Sequence, residues 1–166
     1  MAFHVGDPVM HWTYGFGYIV GKEERVLSDR KTLYYAVTVR DLTVWVPADD
    51  QLETRLRHPT SPDDFKNLFD ILTGTSEPLP SDRQERKVWL VDRLKDGQAE
   101  SLCRVIRDLS AYQQAHSLNY NDQNLMKRSR EALLCEWGFA LSVPAVEAES
   151  ELRRMLAAAP SDEPAR

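Results

Sequence analysis

The chain has 166 residues, which suits one compact domain or two small ones with modest cores. Its 21 Lys and Arg residues against 26 Asp and Glu residues give a formal net charge of -5, which excludes a protein that coats nucleic acid through a global basic field. The N-terminus lacks the apolar segment of a signal peptide, and no run of about 18 apolar residues occurs. We therefore expect a soluble, cytoplasmic protein.

The first 46 residues contain short runs of β-forming side chains separated by turn residues. Glycines at positions 6, 15 and 17 supply conformational freedom at corners, and Pro8 suits only an edge or the start of a strand. We expect the charged segment Lys22–Lys31 to form a hairpin loop. The pattern predicts a small antiparallel sheet, closed or nearly so, with strands over Val9–His11, Tyr18–Val20, Leu33–Val39 and Leu42–Val46.

After Pro47 the apolar spacing becomes helical. Ser61 is placed to cap a helix that has Pro62 at its first position and ends near Gly74. In the next helix we expect Val88, Val91 and Leu94 to face inward, and short connections favour a compact bundle. The later helices are predicted over Ser81–Lys95, Ala99–Ala115, Asn121–Leu141 and Val146–Ala159, with a frayed tail over Ala157–Arg166.

The polar side chains do not form a recognisable catalytic or metal-binding pattern. The histidines at 4, 11, 58 and 116 are scattered, and a phosphate-binding loop does not occur. Cys103 and Cys135 lack the spacing of a zinc or disulfide site, so we interpret both as small buried apolar residues. We therefore expect a protein that is not an enzyme and that needs neither a cofactor nor a metal.

Several motifs occur together in a characteristic order. The N-terminal half contains Phe3-x-Val5-Gly6-Asp7-x-Val9, Gly15-x-Gly17, Tyr34-Tyr35 and Leu42-Thr43-Val44-x-Val46-Pro47. The C-terminal half contains Leu94-x-x-Gly97, Val105-Ile106-Arg107-Asp108-Leu109, Leu118, Leu125-Met126 and Arg130-x-x-Leu133. Over about residues 3 to 140 the chain resembles the CarD/CdnL family, whose N-terminal domain is shared with transcription-repair coupling factors.

The resemblance implies a Tudor-like barrel that adds a strand to the β subunit of RNA polymerase, with Tyr35–Val39 and Val44–Val46 as the candidate strands. Trp45 stands where the family commonly has arginine, and strand alternation predicts that it points away from the core. It is either a contact anchor or a cover for a surface patch. The candidate polymerase-binding residues are Arg25, Tyr35, Val37, Val39, Trp45 and Pro47.

The resemblance also implies a helical domain that touches the upstream edge of the melted promoter. Arg83 stands where the family carries a tryptophan that wedges into the minor groove, and arginine cannot replace base stacking in that role. We interpret Trp89 as a core or domain-interface aromatic rather than a substitute wedge. The candidate DNA-binding residues are Arg83, Arg86, Lys87, Lys127 and Arg128, which otherwise form solvated helix faces with ion pairs such as Asp92–Lys95.

Together these observations predict an α+β protein with a Tudor/SH3-like β-barrel over residues 1–57, a helical bundle over 58–141 and an acidic helix and tail over 142–166. The resemblance implies a regulator of bacterial transcription whose partners are the polymerase β subunit and promoter DNA at the upstream fork. We expect a monomer when it is free. The alternative is a protein-only adaptor whose helical domain binds another protein and not DNA.

Overall fold

The computed structural model describes residues 3–160, and within them it has one antiparallel sheet and six helices. The predicted α+β class is therefore confirmed. The chain divides into two compact units, residues 1–59 and 60–166, here called the sheet unit and the helical unit. The strands are β1 (Pro8–His11), β2 (Gly15–Leu27), β3 (Arg30–Val39), β4 (Leu42–Pro47) and β5 (Leu56–Arg57). The helices are α1 (Leu52–Arg55), α2 (Pro62–Leu72), α3 (Arg83–Leu94), α4 (Ala99–Ala115), α5 (Tyr120–Leu141) and α6 (Ala145–Ala158).

The strands are hydrogen-bonded in the order β4-β3-β2-β1-β5, with β4 and β5 at the two ends of an open sheet. The prediction that Tyr35–Val39 offers an open edge is wrong, because this segment of β3 is paired with β2 on one side and β4 on the other. A tight turn at Arg40 and Asp41, with Arg40 at φ 56°, returns the chain so that Leu42 pairs with Val39. The edge strand on this side is therefore β4.

The segment Lys22–Lys31 is not a loop, which corrects the sequence prediction. It forms the outer part of a β2–β3 hairpin whose turn contains only Ser28 and Asp29, at φ 51° and 64°. Asp tolerates positive φ, and two such residues match the twist of a tight hairpin. Nearly every side chain in this part is exposed, so its strands lack the alternation of apolar and polar residues that marks a half-buried strand.

The core of the sheet unit lies against one face of the sheet, where alternate residues of β2, β3 and β4 converge. Gly17 allows β2 to approach β3 closely, because an added Cβ would collide with the carbonyl oxygen of Thr38 and with the Val39 side chain. Gly15 has φ 87°, a conformation that favours glycine. The most deeply buried side chains are Phe3, Val9, Ile19, Val37, Val46 and Leu56.

His11 ends β1 as a buried histidine, 7% exposed. Its Nδ1 atom accepts the backbone N–H groups of Thr13 (3.1 Å) and Tyr14 (3.2 Å) and so shapes the turn into β2. Burial lowers the pKa of His11 from 6.5 to about 4, because the imidazolium form would lose its hydration. The ring is therefore neutral at pH 7.

The helices of the helical unit begin where the sequence predicts. Ser61 caps α2 by accepting the Asp64 N–H, with Pro62 at the first helical position. Helix α4 spans the predicted residues, and α5 opens with a reciprocal capping box between Asn119 and Asp122. The expected tail over Ala157–Arg166 begins inside α6, and residues 161–166 lie outside the described part of the chain.

The packed face of helix α3 differs in part from the one predicted, since Leu94 packs against the core as expected but Val88 and Val91 do not. Val88 and Val91, expected to face inward, are 59% and 40% exposed, whereas Leu90 is fully buried and Arg86 is 2% exposed. The inward positions thus include 86 and 90, four residues apart, and one of them is occupied by arginine. A charged residue on the buried face hides that face from a search for apolar periodicity. Between residues 3 and 160, no helix is both long enough and apolar enough to cross a membrane.

Candidate functional site

Arg25 and Trp45 lie together on the outer face of the sheet, opposite the core. The Arg25 guanidinium carbon is 4.6 Å from the Trp45 ring centroid and 5.6 Å from that of Tyr34, which is cation–π geometry. Arg25 also approaches the Glu23 carboxylate, with Nη2 and Oε2 3.5 Å apart. Here we call Arg25, Tyr34 and Trp45 the outer-face cluster.

Strand register explains why these distant residues meet. Trp45 is paired with Ala36, while Tyr34 is paired with Pro47, and residues 34 and 36 are two apart and therefore share one face of β3. The small Ala36 leaves room beside the indole. Trp45 is 40% exposed whereas Val46 is 2% exposed, so the prediction that Trp45 points away from the core is confirmed.

Three of the predicted polymerase-binding side chains lie elsewhere. Tyr35, Val37 and Val39 are 4%, 0% and 5% exposed and belong to the core of the sheet unit. The backbones of Tyr35 and Val37 are also paired on both sides within the sheet, with β2 and with β4. Their side chains are therefore not available to a partner in this fold.

Arg86, predicted to contact DNA, is buried inside the helical unit. It forms a bidentate pair with Asp122, with Nε 3.0 Å from Oδ1 and Nη2 2.8 Å from Oδ2. Its Nη1 donates to the carbonyls of Pro80 and Ser81, both at 3.2 Å, and to the Tyr112 hydroxyl at 3.1 Å. The hydrogen bond to Asp122 raises the pKa of Arg86 above its usual value. This placement does not fit a phosphate contact, so we assign Arg86 a structural role.

The remaining DNA-contact candidates fall on two surfaces. Arg83 and Lys87 are exposed and four residues apart, so they share one side of α3. The first turn of that helix is capped by the Asp82 carboxylate, which accepts the N–H groups of residues 84 and 85. Lys127 and Arg128 are exposed on α5, and Lys127 lines a groove of about 430 Å3 with residues that include Arg130 and Glu149. The basic surface is thus divided and partly offset by acids.

Trp89 lies on the exposed side of α3. It is 39% exposed, and the Arg93 guanidinium carbon lies 4.3 Å from its ring centroid. The interpretation of Trp89 as a core aromatic is therefore wrong, because more than a third of its side chain is exposed; its alternative, a domain-interface aromatic, stays a prediction. With Val88 and Val91 it makes this side of α3 unusually apolar for an exposed surface.

The two cysteines differ in burial. Cys103 is fully buried on α4, and burial, followed by the nearby Glu136 carboxylate, raises the pKa of its thiol to about 12. Cys135 is exposed, so the prediction of two buried thiols is wrong for that residue. Within residues 3–160, His, Cys, Asp and Glu side chains do not come together in a group of three or more that could hold a metal ion.

Sequence reasoning missed two residues that organise the helical unit, Asp122 and Tyr112, both partners of Arg86. The Asn119-x-x-Asp122 spacing is a capping-box signal and could have located Asp122. The pairing itself joins positions 36 residues apart and leaves no local sequence signal.

A family model and a curated relative that match this chain agree with each other. Residues 67–153, more than half of the chain, match the family model described as CarD, C-terminal domain. The chain is also 26% identical over 137 residues to a Bacillus subtilis (strain 168) protein named "Putative transcription factor YdeB", covering 81% of this chain and 89% of that relative. The resemblance noted in the sequence is thus supported by the helical half and by a match of nearly full length. The chain belongs to the CarD/CdnL family.

Proposed function

We propose that this chain is a non-catalytic regulator of bacterial transcription that binds the β subunit of RNA polymerase through its sheet unit. The observation that carries this proposal is that β4 is an edge strand and bears Trp45, next to Arg25, on its exposed face. Family membership and the relative named as a transcription factor support the regulatory role. A Tudor-like barrel remains our proposal for the fold family of the sheet unit.

An edge strand suits this kind of docking because its outward N–H and C=O groups can continue the ladder into a second protein. The outer-face cluster would add side-chain contacts beside that ladder. Tryptophan and arginine are the residues most often found at interface hot spots, and the cation–π contact keeps both in place before binding. Pro47 at the end of β4 cannot donate a backbone hydrogen bond and limits the length of any added pairing.

The test is affinity of the full chain for the polymerase β subunit, measured by biolayer interferometry. Trp45→Ala is expected to weaken binding by at least about tenfold, which is typical of a hot-spot aromatic, and Arg25→Glu by a similar factor. Trp12→Ala is a matched control, because Trp12 is a second exposed tryptophan, 56% exposed, in the turn after β1. If the folded Trp45→Ala and Trp12→Ala variants bind the β subunit with equal affinity, the docking surface is refuted.

We further propose that the helical unit lies near upstream promoter DNA, with Arg83 and Lys87 as its exposed cations on α3. Two phosphate contacts give this chain only weak, salt-sensitive affinity for DNA, so its binding to DNA should require polymerase. Fluorescence titration on fork-junction DNA with polymerase is expected to show a shallower salt dependence for Arg83→Ala/Lys87→Ala. An unchanged salt slope would remove the DNA contact from the proposal.

A protein-only adaptor is the second candidate, and two observations favour it. Arg86 is withdrawn from the surface, and Val88, Trp89 and Val91 give α3 an exposed apolar side better suited to protein than to phosphate. If this candidate is right, the complex of this chain with polymerase should be equally stable in the presence and in the absence of fork-junction DNA. Replacing Val88 and Val91 with Ser should then weaken a protein complex and leave DNA affinity unchanged.

A further inference from the structure

A cleft of about 490 Å3 lies in the helical unit between the segment from Ser76 to Ser81 and the last turns of α4. This volume is within the range of about 300–1,000 Å3 found for ligand sites. Apolar groups of Pro78, Leu79, Ala111 and Ala115 form much of its lining. The two charged residues in the lining are both acidic, Glu77 and Asp108.

Asp108 is 1% exposed, and only one of its two carboxylate oxygens accepts a hydrogen bond within the described residues. Its Oδ1 atom accepts the Glu77 backbone N–H and the Arg107 Nε–H, both at 2.9 Å. Its Oδ2 atom is buried and has no hydrogen-bond partner among the residues that the structure describes. A buried carboxylate oxygen without a donor is unfavourable, and a ligand that brings an N–H group to it would remove that penalty.

Two stacked rings line the same cleft. The Tyr112 and His116 ring centroids are 4.3 Å apart with an interplanar angle of 13°. The Tyr112 hydroxyl accepts from Arg86 Nη1 at 3.1 Å, which fixes the ring against the buried ion pair. The Arg86 guanidinium carbon lies 4.8 Å from the Tyr112 ring centroid, so Tyr112 is already covered by Arg86 and by His116. His116 is exposed and lines the cleft, so a planar cation can stack on the His116 ring and donate to the carboxylate.

We propose that this cleft receives the guanidinium of an arginine side chain from a protein partner. The guanidinium is planar, carries five N–H donors and is weakly hydrated, so it can donate to Asp108 Oδ2 while its face lies on the His116 ring. The apolar lining accommodates the aliphatic part of the side chain. This site lies in the helical unit, and its occupation does not depend on docking by the sheet unit.

The test is NMR titration of the 15N-labelled full chain with N-acetyl-L-arginine amide and with the matching citrulline amide, which has the same shape without the charge. Arginine is expected to shift the amides of residues 76, 77, 111, 112 and 116 saturably, and citrulline to bind at least about tenfold more weakly. Equal binding of the two probes, shifts elsewhere, or no saturable shift would overturn the proposal.

Variants of the chain distinguish arginine binding in the cleft from a non-specific attraction between charges. Asp108→Asn is expected to weaken arginine binding at least about tenfold, since it removes the charge and an acceptor oxygen. Because that variant can fail to fold, Ala115→Arg provides an independent arm: residue 115 is exposed and lines the cleft, so a new cation there should block the probe. Ala157→Arg on α6, also exposed, is the matched control and should bind as the parent does. Unchanged binding by Ala115→Arg would refute the site.

Discussion

Replacing Arg86 with Met is expected to cost the helical unit about 3–5 kcal/mol of unfolding free energy, the usual result of leaving one partner of a buried ion pair alone. The side chains of Arg86 and Asp122 are 3% and 1% exposed, so water cannot replace the lost donors. The change also removes the donor to the carbonyls of Pro80 and Ser81 and to the Tyr112 hydroxyl. For a unit of this size, such a loss lowers the melting temperature by about 12 °C or more.

The measurement is urea unfolding followed by circular dichroism at 222 nm, which reports mainly on the helices of the helical unit. Arg83→Met, an exposed arginine one turn earlier on α3, is the matched control and should change stability by less than about 0.5 kcal/mol. Adding Asp122→Asn to Arg86→Met removes the unpaired charge but keeps an acceptor for the capping box, so the double variant should lose clearly less than the sum of the single losses. A loss below about 1 kcal/mol for Arg86→Met, with an unchanged slope against urea, would refute the reasoning.

Three further outcomes are expected. Thiol labelling of the folded chain at pH 8, followed by mass spectrometry of the peptides, should modify Cys135 rapidly and Cys103 only on unfolding. Equal labelling rates for the two thiols would contradict the burial that raises the pKa of Cys103 to about 12. His11 has a pKa of about 4 in the fold and 6.5 when unfolded, so the free energy of unfolding should fall by at most about 3 kcal/mol as pH drops from 6.5 to 4. His11→Gln should flatten that part of the plot of urea midpoint against pH. Parallel plots for the parent and the variant would contradict this expectation. Gly17→Ala should lower the melting temperature of the sheet unit by calorimetry, whereas Gly21→Ala, where the nearest atom to an added Cβ is at 3.8 Å, should be tolerated; equal effects would show that close approach does not explain Gly17.

Local rules predicted the helices well and long-range partners poorly. The Ser61 cap and the apolar spacing of α4 depend on neighbours within one or two turns, so their sequence carries the signal. The position of Arg86 depends on Asp122, 36 residues away, and Arg86 occupies the buried side of α3 while Val88 and Val91, expected there, are exposed. Sequence without relatives to align does not reveal such a pair.

For the candidate docking surface too, the sequence predicted local features correctly and missed features that depend on distant residues. Strand alternation predicted the outward direction of Trp45 correctly, because the period of two is a local property. The contact between Arg25 and Trp45 requires the register of three strands, and the assignment of the open edge requires the order of the sheet. Neither could be obtained from the composition of the individual strands, so the sequence left two candidate strands, of which Val44–Val46 in β4 lies at the edge and Tyr35–Val39 in β3 does not.

The charged half of the β2–β3 hairpin has a consequence for solubility. Beyond Ile19, in the part of the chain that the structure describes, β2 is paired only with β3, which leaves a further unpaired strand edge at Lys22–Leu27, besides those of β4 and β5. Val26 and Leu27 are 64% and 58% exposed there, a combination prone to fibril growth. The surrounding Lys, Glu and Arg side chains are gatekeeper residues of the kind that disfavour the growth of such a segment. The charged residues that hid these strands from prediction thus also disfavour edge-to-edge pairing of this ribbon.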